Sequence, residues 1–201
     1  YTWIFLNVFL TLLAYPLIPL LERLFGFTSS ISLVELSDMN RPLLSKLAME
    51  APGTLQHSIQ VANLSESAAR KIGANHLLVK VAALYHDIGK TKAPTYYIEN
   101  QNSSNPHEEL NTLESVDKII QHVPAGVEMA KKARLPKLII DFIRTHHGTT
   151  RVEYFYRKYV EANPGKDIDD NRFRYPGPRP RTKEETILMM ADSIEAACKS
   201  L

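Results

Sequence analysis

From residue 53 to the end of the chain, apolar residues recur at helical spacing in segment after segment, and no run alternates convincingly with the period of two that a half-buried strand needs. That pattern predicts an all-α fold. The predicted helices are 53–73, 75–87, 106–123, 124–134, 136–148, 151–162 and 182–200. Pro106 and Pro136 stand near predicted starts, Pro124 closes the segment before it, Gly148 supplies a stop, and Thr182 with Glu185 forms a capping-box signature. Residues 163–181, NPGKDIDDNRFRYPGPRPR, form a loop rich in Pro, Gly and charge, of a length associated with lids and mobile segments.

The first 21 residues carry no charge, which approaches the ~20 apolar residues that span a bilayer as a helix. Asn7, Pro16 and Pro19 weaken that pattern, so two readings stand on the residues alone. One is the end of a transmembrane helix running into an amphipathic connector at 17–27; the other is a core helix. A signal peptide is disfavoured, because no basic start precedes the stretch and no small-residue cleavage site follows it. The chain opens on Tyr1 rather than Met and stops at Leu201 inside a predicted helix, the pattern of a fragment. Its 201 residues, 44% of them hydrophobic, suffice for one sizeable core. A net charge of +2 argues against a partner that is a nucleic-acid polymer. The single cysteine, Cys198, excludes an internal disulfide and suits a reducing compartment.

The chemistry lies in which polar residues share the apolar faces. His57 lines up with Val61, Leu64 and Ala68, and His146 continues Ile139, Phe142 and Ile143. Asp192 follows Leu188 and shares a face with Glu195, while His122 closes the 106–123 helix. Any one buried histidine is more often a hydrogen-bonded core residue than a ligand. His76 and His107 sit at segment starts, where they cap or face water. Taken together, His57, His86, Asp87, His122, His146, His147 and Asp192 bring seven ligand-type side chains from five helices, and facing helices of a bundle are a known setting for metal ligands. Imidazole and carboxylate without thiolate suit Fe, Mn, Ni or Zn and disfavour iron–sulfur or Cys-zinc sites. Seven ligands exceed one tetrahedral ion and suit two, with Asp87 placed to bridge them. A two-metal centre fits in-line displacement at phosphorus. Lys90, three residues on, is placed to meet a phosphate oxygen, and Gly89 to release the turn that aims it.

These residues, with the stretches APGTLQHS (51–58), YHDIGKTKAP (85–94), IENQNSSNPHEEL (98–110), LPKLIIDFIRTHHGT (135–149) and FRYPGPRPRTKEETILMMADSIEAACKSL (173–201), resemble the HD-domain superfamily of metal-dependent phosphohydrolases. The resemblance is closer still to the cytosolic HD domain of seven-transmembrane HD proteins, bacterial cyclic-di-AMP phosphodiesterases. The resemblance implies an HD-domain helical bundle over residues 28–201, with a dinuclear site in its core. It implies that residues 1–27 are the end of the last transmembrane helix and its connector, in a multi-pass protein of the cell membrane whose HD domain lies in the cytoplasm. It further implies that His57, His86, Asp87 and Asp192 hold one ion and Asp87, His122 and His146 the other, with His147 as a further ligand or neighbour. Iron or manganese is the expected metal, and Lys90 the phosphate contact.

The activity so implied is hydrolysis of cyclic di-AMP to linear pApA by a metal-bridging hydroxide, with Asp87, Lys90 and His86 as the catalytic set. The sequence HHGTTRVEYF lacks the GYP signature of related HD-GYP enzymes, which argues against cyclic di-GMP as the main substrate. Before His57, TLQ replaces the aromatic and second histidine of many relatives. Tyr96, Tyr97, Tyr154, Tyr156 and Tyr175 are candidates to stack on bases. Asn105 and His107, within 99–107, are candidates to border the pocket, and Arg172, Arg174, Arg179 and Arg181 to screen phosphates. The alternatives are an HD phosphohydrolase acting on another nucleotide, such as cyclic di-GMP, a dNTP or ppGpp, and an inactive ligand-binding module; assembly into an oligomer is open.

Overall fold

The computed structural model describes residues 1–101 and 104–199, and of Tyr15 and Arg23 the backbone alone. Asn102 and Ser103 of the expected pocket border, and Ser200 and Leu201 of the last expected helix, lie outside the described residues. The helices run α1 (Thr2–Phe25), α2 (Ser30–Leu36), α3 (Pro42–Glu50), α4 (Pro52–Lys71), α5 (His76–Tyr85), α6 (Thr112–Ile120), α7 (His122–Lys132), α8 (Lys137–Thr145), α9 (Glu153–Ala162) and α10 (Lys183–Lys199). Short 3₁₀ turns at Ile88–Lys92, Pro94–Tyr96, Ile98–Asn100, Pro106–Glu109 and Asp170–Phe173 join them, and no strand occurs among the described residues. The all-α expectation holds. The helices α2 and α3, ahead of residue 53, were not among those expected.

The main core gathers Leu44 and Leu47 of α3, Val61 of α4, Val79 and Ala82 of α5, Ile139 and Ile143 of α8 and Leu188 of α10. The α4 stripe differs from the expected one. Leu64 is exposed, and the inward face is Thr54, Ser58, Val61, Ser65 and Ala69. These small side chains pack α4 against α5, whose own inner face includes Ala82 and Ala83. Small residues at a helix contact shorten the distance between axes, so close approach, not side-chain bulk, sets the buried face.

The expected 106–123 helix is two pieces. Pro106 opens only a 3₁₀ turn, and α6 starts at a full capping box between Asn111 and Glu114. His122 therefore opens α7 rather than closing α6, and Pro124 sits in the first turn of α7, where its missing N–H is no loss. At α10, Thr182 Oγ accepts from the Glu185 N–H, while the Glu185 carboxylate accepts from the Arg181 N–H rather than returning to Thr182.

A second, smaller core of Val116, Phe155 and Phe173 joins α6, α9 and the 3₁₀ turn in the 163–181 loop. That loop is pinned by an isolated antiparallel bridge, Arg151 to Arg174, and by the Tyr175 N–H donating to Thr150 O at 2.9 Å. The helix α1 runs unbroken through Pro16 and Pro19 and ends at Gly26 in the left-handed conformation (φ 70°). The span Thr2–Glu22 is long and apolar enough to cross a membrane, and none of it is buried, unlike a core helix. Glu22 accepts from the Ser29 N–H (2.6 Å) and Ser32 Oγ (2.8 Å), tying α1 to the start of α2.

Candidate metal centre

Three of the expected ligands sit where helices stop. His86 caps α5, His146 caps α8, and His122 follows the end of α6 by one turn residue. The last four carbonyls of a helix lack amide partners. Each imidazole uses one of them: His86 Nδ1 bonds Ala83 O at 2.7 Å, His122 Nδ1 bonds Ile119 O at 2.7 Å, and His146 Nδ1 bonds Ile143 O at 2.8 Å. A carbonyl only accepts, so each Nδ1 donates, and the Nε2 of each ring is the nitrogen turned toward the centre. Three helix C-termini, the negative ends of their dipoles, thus point at one spot.

These Nε2 atoms surround Asp87, which follows His86 directly. Its Oδ1 faces His122 Nε2 at 3.3 Å and His146 Nε2 at 3.6 Å. Its Oδ2 faces His86 Nε2 at 3.2 Å and His57 Nε2, from α4, at 3.7 Å. From α10, Asp192 Oδ1 lies 3.0 Å from His57 Nε2 and 3.7 Å from His86 Nε2, and Asp192 Oδ2 lies 3.5 Å from His147 Nδ1. All seven expected residues are therefore brought together. Asp87 belongs both to a group with His57 and His86 and to a group with His122, His146 and His147.

This donor set fits cations. His86 Nε2 and Asp87 Oδ1 are buried with no hydrogen-bond partner. His122 Nε2 and His146 Nε2 stand 3.2 Å apart, with the Nδ1 of each already given to a carbonyl. Buried acceptors facing acceptors are costly unless a positive charge lies among them, so the cluster is able to bind metal. Burial alone would lower the His86 pKa, but Asp87 and Asp192 raise it to about 10, so without metal a proton takes the cation's place. Burial, with His146 and Lys90 beside it, pushes His122 down to about 3, and burial and His146 hold His147 well below its ordinary value. Both rings are neutral near pH 7 and free to ligate. Burial would raise Asp87, yet His86 and Lys90 hold it well below the usual carboxylate range.

Lys90 sits in the 3₁₀ turn Ile88–Lys92, with Nζ 2.8 Å from Asp87 Oδ2 and 2.8 Å from Glu99 Oε1. Burial alone would lower its pKa; the two carboxylates reverse this and hold the ammonium charged. The expected phosphate contact is thus already paired. Glu99, whose role the sequence did not flag, also accepts from Thr54 Oγ at 2.9 Å. Gly89 serves closeness rather than a released turn. A Cβ there would meet His122 O at 1.9 Å and Gly126 N at 2.6 Å, and its φ is not positive.

A cavity of about 370 Å³ opens over the cluster, walled by Lys90, Tyr97, His147, Arg151, Tyr175 and Asp192. A second of about 430 Å³ adjoins it, sharing Tyr97, Ile98, Glu99 and Ile119 and adding Tyr96, Asn105 and His107, with Tyr154. Tyr175 stacks on His147 at 4.2 Å, and Tyr97 donates to Lys118 O at 3.1 Å with Lys90 Nζ 5.0 Å over its ring. Asn105 caps the turn at the His107 N–H, and His107 Nε2 bonds Tyr96 O, so both help shape the second cavity. Tyr156 packs on Phe173 and under the Arg151 guanidinium, 3.6 Å from its ring centroid, and lines neither cavity. The expected arginines do not face the cluster. Arg172 pairs with Asp117 and Arg174 with Asp170, and Arg174 and Arg179 line a separate hollow beside Thr149. Arg151 is the arginine that walls the first cavity, a residue the sequence reading missed; a bridge to Arg174 and ion pairs with Glu153 and Asp170 hold it there.

The HD domain sequence pattern matches residues 54–197. Over 190 residues the chain is 49% identical to the cyclic-di-AMP phosphodiesterase PgpH of Listeria monocytogenes, covering 94% of this chain and 26% of that protein. It is 47% identical over 192 residues to PgpH of Bacillus subtilis, covering 95% of this chain and 27% of the relative. The chain therefore spans about a quarter of the length of these relatives. A crystal structure of the L. monocytogenes PgpH HD domain in complex with cyclic di-AMP superposes with a TM-score of 0.78 at 49% identity, covering 82% of this chain and 77% of that one.

Proposed function

The chain belongs to the HD domain family, and from that premise we propose that it is a phosphodiesterase domain that hydrolyses cyclic di-AMP to linear pApA. The observation that carries this reading is the two-sided Asp87. One carboxylate oxygen faces His122 and His146 and the other faces His57 and His86, the arrangement a bridge between two ions needs. The similarity to PgpH, and to a PgpH HD domain holding cyclic di-AMP, supports the substrate.

In this reading His57, His86, Asp87 and Asp192 would hold one ion, and Asp87, His122 and His146, with His147 beside them, would hold the other. The N/O ligand set suits iron or manganese. Two such ions, when bound, would neutralise phosphate charge and lower the pKa of a bound water. The protein's own part is to hold acceptors bare and converging, so that the ions, not internal hydrogen bonds, satisfy them. Lys90 leaves Glu99 for a non-bridging phosphate oxygen while keeping Asp87 ionised. Tyr97 and Tyr175 wall the reacting phosphate from bulk water. One nucleoside lies over the cluster and the other reaches the adjoining cavity, where Tyr96, Asn105 and His107 border it. The helix α1 anchors the domain to the cell membrane, with the HD domain on the cytoplasmic side.

The test is to load the protein with manganese, verify two ions per chain, and follow cyclic di-AMP, cyclic di-GMP and ppGpp by chromatography. Linear pApA from cyclic di-AMP, formed faster than any product from the other two, is expected. No pApA with both sites filled overturns the reading.

A further inference from the structure

His57 is oriented by a different device from the other imidazoles that face Asp87. His86, His122 and His146 stand at helix ends and use last-turn carbonyls. His57 lies in the second turn of α4, where the carbonyls behind it are taken by the helix's own amides. Its Nδ1 instead meets a carboxylate from another helix, Glu195 Oε2 on α10, at 2.5 Å. One turn earlier on α10, Asp192 Oδ1 stands 3.0 Å from the ring's other nitrogen. Glu195 Oε1 is in turn ion-paired with Lys199 Nζ at 2.5 Å. The Glu195 side chain is only 10% exposed, so the contact is shielded from water.

We infer that Glu195 is a positioning residue that fixes His57 with Nδ1 protonated and Nε2 as the ligating nitrogen, and so completes the ion site on the His57–His86 side alone. The inference rests on the dinuclear reading given under Proposed function. Carboxylates that accept from the far nitrogen of a ligating histidine fix its tautomer and raise its basicity, and their loss lowers metal affinity by about 10–100-fold. The three helix-end histidines need no such partner, so the effect falls on one ion and spares the other. Asp192 belongs to the ligand set; Glu195 reaches an ion only through His57.

The experiment titrates manganese(II) into metal-free protein, with free ion followed by electron paramagnetic resonance and total ion by elemental analysis. Wild type is expected to bind two ions. Glu195→Ala is expected to bind one with wild-type affinity and the other about 10–100-fold more weakly. Glu195→Gln, whose amide oxygen still accepts from Nδ1, is expected to recover most of that loss. The His57 Nδ1–H resonance of the metal-free protein shifts in Glu195→Ala and returns toward its position in Glu195→Gln, a readout that a merely structural role would not move. Equal affinity for both ions in wild type and Glu195→Ala overturns the inference, as does an equal weakening of both ions. Wild type that binds fewer than two ions overturns the dinuclear reading itself, and that failure appears before any variant is compared.

Discussion

Asp87 has nowhere to turn. It is buried, its two oxygens face opposite sets of imidazole nitrogens, and Lys90 holds one of them. Asp87→Ala is expected to lose both ions and reduce hydrolysis to background, read by elemental analysis and product formation; full two-ion occupancy in that variant would sink the bridging role. Lys90 acts differently. Lys90→Met is expected to keep its ions and lose about 10²–10³ in kcat, the usual effect of removing one charged contact to a developing negative charge. The raised His86 pKa gives a pH dependence with a definite sign. In the metal-free protein the imidazolium is stabilising at and below pH 6.5, and that stability fades as pH rises through about 10. An entering ion must displace this proton. Manganese affinity is therefore expected to rise by about tenfold per pH unit between roughly pH 7 and 9, and titrations at those two values check it.

At the scale of elements, the site is made by three helix ends, which deliver His86, His122 and His146, and by the faces of α4 and α10, which deliver His57 and Asp192. The expectation that His57 and His146 point inward holds: the apolar stripe of Ile139, Phe142 and Ile143 leads to His146, whereas on α4 His57 shares the buried side with Val61 but not with the exposed Leu64. The expectation that a 106–123 helix delivers His122 from its end does not, since the chain breaks at Asn111 and Ile120. The signal was in the sequence, where Asn111 stands three residues before Glu114, but Pro106 supplies a competing start. The role of Gly89 was not legible, because nothing local says that α7 passes against it. Gly89→Ala is expected to push the Lys90 turn away from α7. A loss of about 1–3 kcal/mol in denaturant unfolding, typical of overpacking, is expected together with weakened activity. Unchanged stability in that variant would mean that α7 and the turn separate without loss.

For the whole molecule, a main and a smaller core accompany the histidine–aspartate cluster, and α1 stands apart with its apolar surface uncovered. A bilayer is the expected cover. The chain is expected to cosediment with lipid vesicles, and a double substitution of Leu10→Lys and Leu13→Lys to release it, since each central charge costs about 2.5–3.5 kcal/mol in a membrane helix. Retention of the double variant on vesicles would show that another surface binds them. The sequence by itself determined the helical class, the seven ligand-type residues and the uncharged first segment, because periodicity, residue chemistry and charge are local properties that tertiary contacts leave intact. The tertiary structure alone decided that Asp87 divides its two oxygens, that Glu195 grips His57, that Glu99 holds Lys90 and that Arg151 rather than the arginines of the 163–181 loop walls the cavity. Those facts depend on which helix end lies against which, and that is set by the close packing of small residues on α4 and α5 and of Gly89 on α7.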